Sequence, residues 1–256
     1  MNTLHFNLQQ SHKLYFASDF HLGAPDHKQS FARELKIIRW LDQVKNDAEA
    51  VFLVGDIFDF WWEYKYVVPK GYVRFLGKVA ELADKGIPVI FFTGNHDLWM
   101  RNYLTDELGV KLYHDPIEIQ VGEQKLFVGH GDGLGPGDAT YKFLKKLFKS
   151  KILQWIFTRL HPNFSFWLAT NWSKKSRSQN LEKEEPFLDE KEWLFQFAKA
   201  MEQKNHFDYY IFGHRHMALQ MKVSPNSTYI NLGEWLGTCS YVSYDGTRAE
   251  LLYFEK

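Results

Sequence analysis

The chain has 256 residues, 45% of them hydrophobic and 17% aromatic, which suits one domain with a sizeable core (1–256) better than two equal halves. Thirty-one basic residues balance thirty-one acidic ones, so global charge draws it to no polyanion, no nucleic-acid partner is expected, and any charge argument is local. The single cysteine, Cys239, excludes an intramolecular disulfide and a thiolate-rich metal cage; it reads as a small buried hydrophobe in a reducing compartment.

Met1 to Lys13 is polar and lacks an apolar signal core, and no stretch approaches the ~20 apolar residues of a membrane span, so a cytoplasmic protein is expected. Lys13 to Ser18 predicts a strand. Phe31 to Lys45 predicts a helix with Leu35, Ile38, Leu41 and Val44 on its apolar face. Ala50 to Val54 is a continuous apolar run, as in a strand buried on both faces. Tyr72 to Lys85 is helical again with Gly86 as its stop, and Pro88 to Thr93 is the next buried strand. This order is that of βαβ units on a parallel sheet, whose carboxyl edge is where ligands bind.

Ile117 to Val121 and Lys125 to Val128 read as strands paired across Gly122-Glu123. Asp189 to Gln203 reads as a helix and Tyr209 to Phe212 as a strand. The C-terminus alternates through Thr228 to Asn231, Ser240 to Tyr244 and Ala249 to Phe254, with Asp245-Gly246 as a hairpin turn.

Five polar clusters each follow an apolar strand: Asp19-Phe20-His21, Gly55-Asp56 with Asp59, Gly94-Asn95-His96-Asp97, Gly129-His130-Gly131, and Gly213-His214-Arg215-His216. Their carboxylate, amide and imidazole donors suit Mn, Fe, Zn, Co or Ni. The flanking glycines let the chain turn sharply and keep bulk away from an ion. Singly, each cluster is what a turn or a structural histidine also looks like; all five in one setting are hard to obtain without a metal site.

In order and spacing the set resembles the calcineurin-like metallophosphoesterases. That resemblance implies an α/β fold, a four-layer αββα sandwich with two metals at the sheet edge. It implies one metal on Asp19, His21 and His216, a second on Asn95, His130 and His214, and Asp56 bridging them. Two divalent cations, manganese by resemblance, would activate water for attack on phosphorus. His96 is left over from the ligand set and reads as a contact to phosphate or leaving group, with Asp97 fixing it from behind; the other reading of His96 is structural.

The segment 137–188 reads as a helical lid inserted into the domain. From Ala139 to Leu181 it carries nine basic residues and no acidic one, interleaved with apolar residues at helical spacings such as Phe143/Leu147 and Leu144/Phe148. A basic amphipathic segment of this kind suits an anionic membrane surface or a ligand anionic at one end and greasy at the other. The plain alternative is a cap packed on the body. The lid's position resembles the lipid A branch of the superfamily, the UDP-2,3-diacylglucosamine pyrophosphohydrolases. That implies a UDP-linked acylated glucosamine lipid as substrate, UMP and a diacylated sugar 1-phosphate as products, and a peripheral place on the inner membrane as monomer or homodimer. By the same resemblance Asn95, Asp138, Tyr141, Asn171, Ser173 and Arg177 contact substrate. His96 departs from that branch, where arginine is frequent. Phe60-Trp61-Trp62-Glu63-Tyr64 is also unusually aromatic; Trp61 and Trp62 read as packing residues, with stacking on a base or acyl chain as the alternative. Still open are another phosphodiester or phosphomonoester as substrate, and a non-catalytic scaffold.

Overall fold

A computed structural model describes residues 2–136, 139–182 (backbone alone at 139–141 and 175–182) and 189–255. In chain order the strands are β1 (Thr3–Phe6), β2 (Lys13–Ala17), β3 (Ala48–Val54), β4 (Val89–Phe92), β5 (Lys111–Tyr113), β6 (Ile117–Val121), β7 (Gln124–Gly129), β8 (Tyr209–Phe212), β9 (Ala218–Ser224), β10 (Ser227–Leu232), β11 (Ser240–Tyr244) and β12 (Ala249–Tyr253). The α-helices are α1 (His27–Val44), α2 (Val73–Asp84), α3 (Tyr103–Leu108), α4 (Ala139–Phe148), α5 (Lys151–Phe157), α6 (Pro162–Glu182) and α7 (Trp193–Glu202).

The strands form two six-stranded sheets, ordered β1-β6-β7-β8-β10-β9 and β12-β11-β2-β3-β4-β5. The expected parallel succession holds: β2 pairs β3, β3 pairs β4, and β7 pairs β8, all parallel. Leu14, Phe16, Phe52, Val54, Ile90 and Phe92 of one sheet meet Ile117, Ile119, Leu126, Val128, Ile211 and Ile230 of the other in a shared core. Outside, α1 and α2 cover the second sheet with Ile37, Trp40, Leu41, Phe75, Val79 and Leu82, and α7 covers the first with Leu194, Phe195 and Ala198. The result is the helix, sheet, sheet, helix order expected of the fold class.

Local chemistry sets the boundaries. Asp26 caps α1, its carboxylate accepting from Gln29 N at 2.9 Å, so the helix starts four residues before the expected Phe31. Its buried stripe is also rotated: Ile37 and Trp40 are buried, while Leu35 and Ile38 lie half-buried at its margin. Gly86 ends α2 as expected, with a left-handed φ of 79° and its N–H on Ala83 O. The expected helix from Asp189 is instead a 3₁₀ turn, Asp189–Lys191, followed by α7. The break falls at Glu192, whose buried carboxylate is committed elsewhere. Trp61 and Trp62 both pack inside; Cys239 is buried, as expected. The described part of the expected lid, 137–188, contains α4, α5 and α6.

Candidate metal centre

The five polar clusters come to one place because their strands end on the same edge. Asp19 and His21 follow β2, Asp56 follows β3, Asn95 and His96 follow β4, His130 follows β7, and His214 and His216 follow β8. Backbone bonds lace these turns together: Asp19 N to Gly55 O at 3.0 Å, His21 N to Asp56 O at 2.9 Å, and Gly213 N to His130 O at 3.0 Å. Five of the seven expected ligands have left-handed backbones: Asp19, His21, Asp56, His214 and His216, with φ from 45° to 70°. Non-glycine residues in that region are strained by about 1 kcal/mol or more each, and such strain collects at functional sites.

All seven expected ligands converge, in two sets. In the first, His21 Nε2 lies 3.1 Å from His216 Nε2, and Asp19 Oδ1 lies 3.2 Å from His216 Nε2 and 3.8 Å from His21 Nε2. Donor atoms of Asp19, His21, Asp56 and His216 all fall within 4.8 Å of one another. In the second, Asn95 Oδ1 is 2.9 Å from His214 Nδ1 and 3.3 Å from His130 Nε2. Asp56 stands between them, its Oδ2 3.9 Å from His21 Nε2 and 3.4 Å from His130 Nε2.

The donor set fits divalent cations. Asp19 Oδ1 is fully buried and accepts no hydrogen bond, an arrangement that is costly unless a cation serves it. His130 gives its Nδ1 proton to Val54 O at 2.9 Å, which leaves Nε2 as a ligand atom. Charges at the site point the same way. Burial works against the Asp19 and Asp56 carboxylates, yet facing imidazoles (His21 and His216 for Asp19, His130 for Asp56) hold both well below the usual carboxylate range. Burial likewise opposes charge on His130, and Asp56 outweighs it, lifting that ring to about 10. Burial and then His130 push His214 down to about 4.

The motif glycines are there for close approach. A Cβ on Gly94 would fall on the Asp56 carboxylate and within 2.6 Å of its amide nitrogen, and a Cβ on Gly213 would lie 2.6 Å from Asp19 Oδ2.

His96 stands beside the ligands, its ring edge-to-face with His21 at a centroid distance of 4.9 Å. Asp97, expected behind it, instead accepts from three backbone amides, Gly94 N at 2.7 Å, Ile57 N at 2.8 Å and Phe58 N at 3.2 Å. It thereby shapes the loops that carry Asp56 and Asn95. The His96 ring is met by Asp59, whose carbonyl lies 3.1 Å from Nδ1, and by Ser173 of α6 at 3.0 Å. In the sequence Asp59 stands out only as a neighbour of Asp56; its place among His21, His96 and Ser173 has no local signal. Arg33 was also missed. It is buried in α1 and donates to the carbonyls of His21 and Ala24 at 2.6 and 2.5 Å.

Among the expected substrate contacts, Asn95 and Ser173 line a cavity of about 460 Å³ that opens beside the metal centre. Asn171 is exposed on α6. Asp138 lies outside the described residues, as do the side chains of Tyr141 and Arg177. Besides Asn95, His96 and Asp59, the cavity is walled by Trp62, Trp99, Leu147, Phe157 and Trp172. Trp62 therefore both packs and faces the cavity. Helices α4 and α6 are tied to the body by Lys145 on Asp132 at 2.5 Å, by Trp99 Nε1 donating to Phe148 O at 3.1 Å, and by a Tyr64–Ser165 hydroxyl contact.

A model of the calcineurin-like phosphoesterases matches residues 12–218. The UDP-2,3-diacylglucosamine hydrolase of Porphyromonas gingivalis W83 is 36% identical over 248 residues, 92% of this chain and 95% of the relative. Proteins of the same name from Histophilus somni 129Pt and Actinobacillus succinogenes 130Z are each 26% identical over 231 residues. These alignments span 89% and 90% of this chain, and 94% of each relative.

Proposed function

The chain belongs to the calcineurin-like phosphoesterase family and is a metal-dependent hydrolase, and we propose that it hydrolyses UDP-2,3-diacylglucosamine to UMP and 2,3-diacylglucosamine 1-phosphate. The observation that carries this reading is the shared wall. Asn95 and His96, at the metal edge, line the same cavity as Trp62, Leu147, Phe157 and Trp172. A substrate with phosphate at one end and acyl chains at the other has a place for both, and the relatives' names point to that compound.

When bound, the pair of divalent cations supplies polarisation of phosphate oxygens and an acidified water for in-line attack on phosphorus. Asp19, His21 and His216 would hold one cation, and Asn95, His130 and His214 the other, with Asp56 shared. Manganese suits these donors. His96 orients the substrate. Its Nδ1 faces a carbonyl oxygen, which can only accept, so Nδ1 carries a proton and Nε2 is the atom left for chemistry. Burial, partly offset by Asp56, pushes the free ring down to about 4. A diphosphate brings negative charge that favours the protonated ring, which then donates from Nε2 to a phosphate oxygen. The apolar lid walls exclude water from the acyl end.

The outer side of the lid meets the membrane. Ile152, Trp155 and Trp167 are exposed, Ile152 by 72%, among exposed Lys146, Lys149, Lys151 and Lys174. Packing on the body does not account for these rings. Anionic lipid attracts each such lysine by ~1 kcal/mol near the surface. No described helix is long and apolar enough to cross a membrane, and this reading places the enzyme on the cytoplasmic face of the inner membrane. Turnover of UDP-2,3-diacylglucosamine against UDP-N-acetylglucosamine tests the shared cavity. Burial of several methylenes at ~0.8 kcal/mol each implies a preference above about 1,000-fold in kcat/KM. Equal rates for the two would overturn the reading.

A further inference from the structure

We propose that Ser173 of the lid is a positioning residue that fixes the His96 imidazole at the metal edge, so that lid and reacting groups are assembled as one unit. This rests on the reading of His96 as a contact to substrate phosphate. Ser173 is buried on α6, although its neighbours Asn171, Trp172 and Lys174 are exposed. Its Oγ lies 3.0 Å from Asp59 Oδ2, 3.2 Å from Asp59 O and 3.0 Å from His96 Nδ1.

Donor accounting orders these contacts. A carbonyl or carboxylate oxygen only accepts, so the Ser173 hydroxyl gives its one proton to Asp59. The Ser173 lone pairs are then left for the Nδ1–H of His96, which also has Asp59 O within 3.1 Å. The Asp59 carbonyl sets the tautomer of His96, and the serine adds a second acceptor on Nδ1–H that fixes the ring's orientation. Asp59 Oδ1 in turn lies 3.6 Å from Nδ1 of His21, so the same carboxylate faces a metal ligand, the lid and His96 together.

Ser173 is not what keeps the lid in place. Lys145 on Asp132, Trp99 on Phe148 and Tyr64 on Ser165 hold it elsewhere. Alanine at 173 should therefore leave the lid seated and loosen the ring, which loses one of its two acceptors on Nδ1.

A double-mutant cycle between Ser173 and His96 tests this, using the whole protein with Mn(II) and bis(p-nitrophenyl) phosphate, a soluble diester without acyl chains. His96→Ala is expected to lower kcat about 100-fold, and Ser173→Ala about tenfold with KM little changed. With alanine already at 96, Ser173→Ala should cost less than about twofold more, because its partner is gone. An equal loss in both backgrounds would make Ser173 a structural anchor and overturn the proposal, and so would an undiminished kcat for Ser173→Ala. Full activity of His96→Ala would remove the role of His96, and the proposal with it, while leaving the metal chemistry standing. Failure of the wild type to turn over any phosphoester would overturn the proposed function as well.

Discussion

Replacing Glu192 by alanine should loosen the turn that carries His214 and His216. The Glu192 carboxylate is fully buried at the head of α7 and accepts from Arg215 Nε at 2.9 Å and Nη2 at 3.0 Å. The guanidinium lies over the Trp193 ring, 5.4 Å from its centroid. Alanine removes the paired carboxylate and leaves that side of a nearly buried cation without its acceptor. Breaking one side of such a pair costs ~3–5 kcal/mol, and the Trp193 face and the residual exposure of Arg215 place this case near 3. At ~2–4 °C per kcal/mol for a chain of this size, Tm should fall by about 6–12 °C. Glu192→Gln, which keeps an acceptor without the charge, should fall between. Thermal unfolding by circular dichroism, with and without Mn(II), reads both the loss and the metal's stabilisation, which should shrink because both cation sites draw on this turn. A drop below about 2 °C for Glu192→Ala would refute the reasoning, since it would mean that the pair does not hold the turn.

Asp56→Ala should remove both metals and all turnover, because one carboxylate serves both sets; metal analysis of the dialysed protein reads this directly. Gly94→Ala should also lose metal, since the added methyl falls on the Asp56 carboxylate; retention of two ions per chain would contradict that geometry. Leu147→Arg, which puts a charge into the cavity wall, should cut kcat/KM for the acylated substrate at least tenfold and leave a soluble diester untouched. Metal affinity should rise as pH is raised from 6 to 8, because a cation must displace the proton that Asp56 holds on His130; affinity independent of pH over that range would count against this donor set.

Much of the fold was legible because burial writes itself into sequence. β2, β3 and β4 lie inside the sandwich and read as unbroken apolar runs at Leu14–Ala17, Ala50–Val54 and Val89–Phe92. β1, β5 and β9 did not announce themselves. β1 and β9 are edge strands of one sheet and β5 of the other, half-exposed, and β5 has only three residues. The short α3 was missed for a different reason. The Glu63 carboxylate accepts from Asn102 N and Tyr103 N at its start, and a partner forty residues away leaves no local mark.

The seven expected ligands were legible as motifs, since glycine, carboxylate and imidazole recur where strands end. The groups that orient them were not. Asp59, Arg33 and Glu192 act through partners distant in sequence; Ser173 was reached only through resemblance, as a substrate contact, and its bonds to Asp59 and His96 leave no local mark. The lid was legible as basic and helical. That it divides its rings between the inner cavity and an outer exposed side emerges only from the packing of α4, α5 and α6 over Trp62 and Trp99.

The central claim is that one centre joins two-metal hydrolysis to an acylated nucleotide sugar. The most direct measurement is product analysis after incubation of the purified protein with Mn(II) and UDP-2,3-diacylglucosamine. The account predicts UMP and 2,3-diacylglucosamine 1-phosphate in equal amounts, both lost on addition of a chelator and both lost in Asp56→Asn. No UMP from this substrate, with brisk hydrolysis of bis(p-nitrophenyl) phosphate by the same preparation, would contradict the substrate assignment and the role given to the lid.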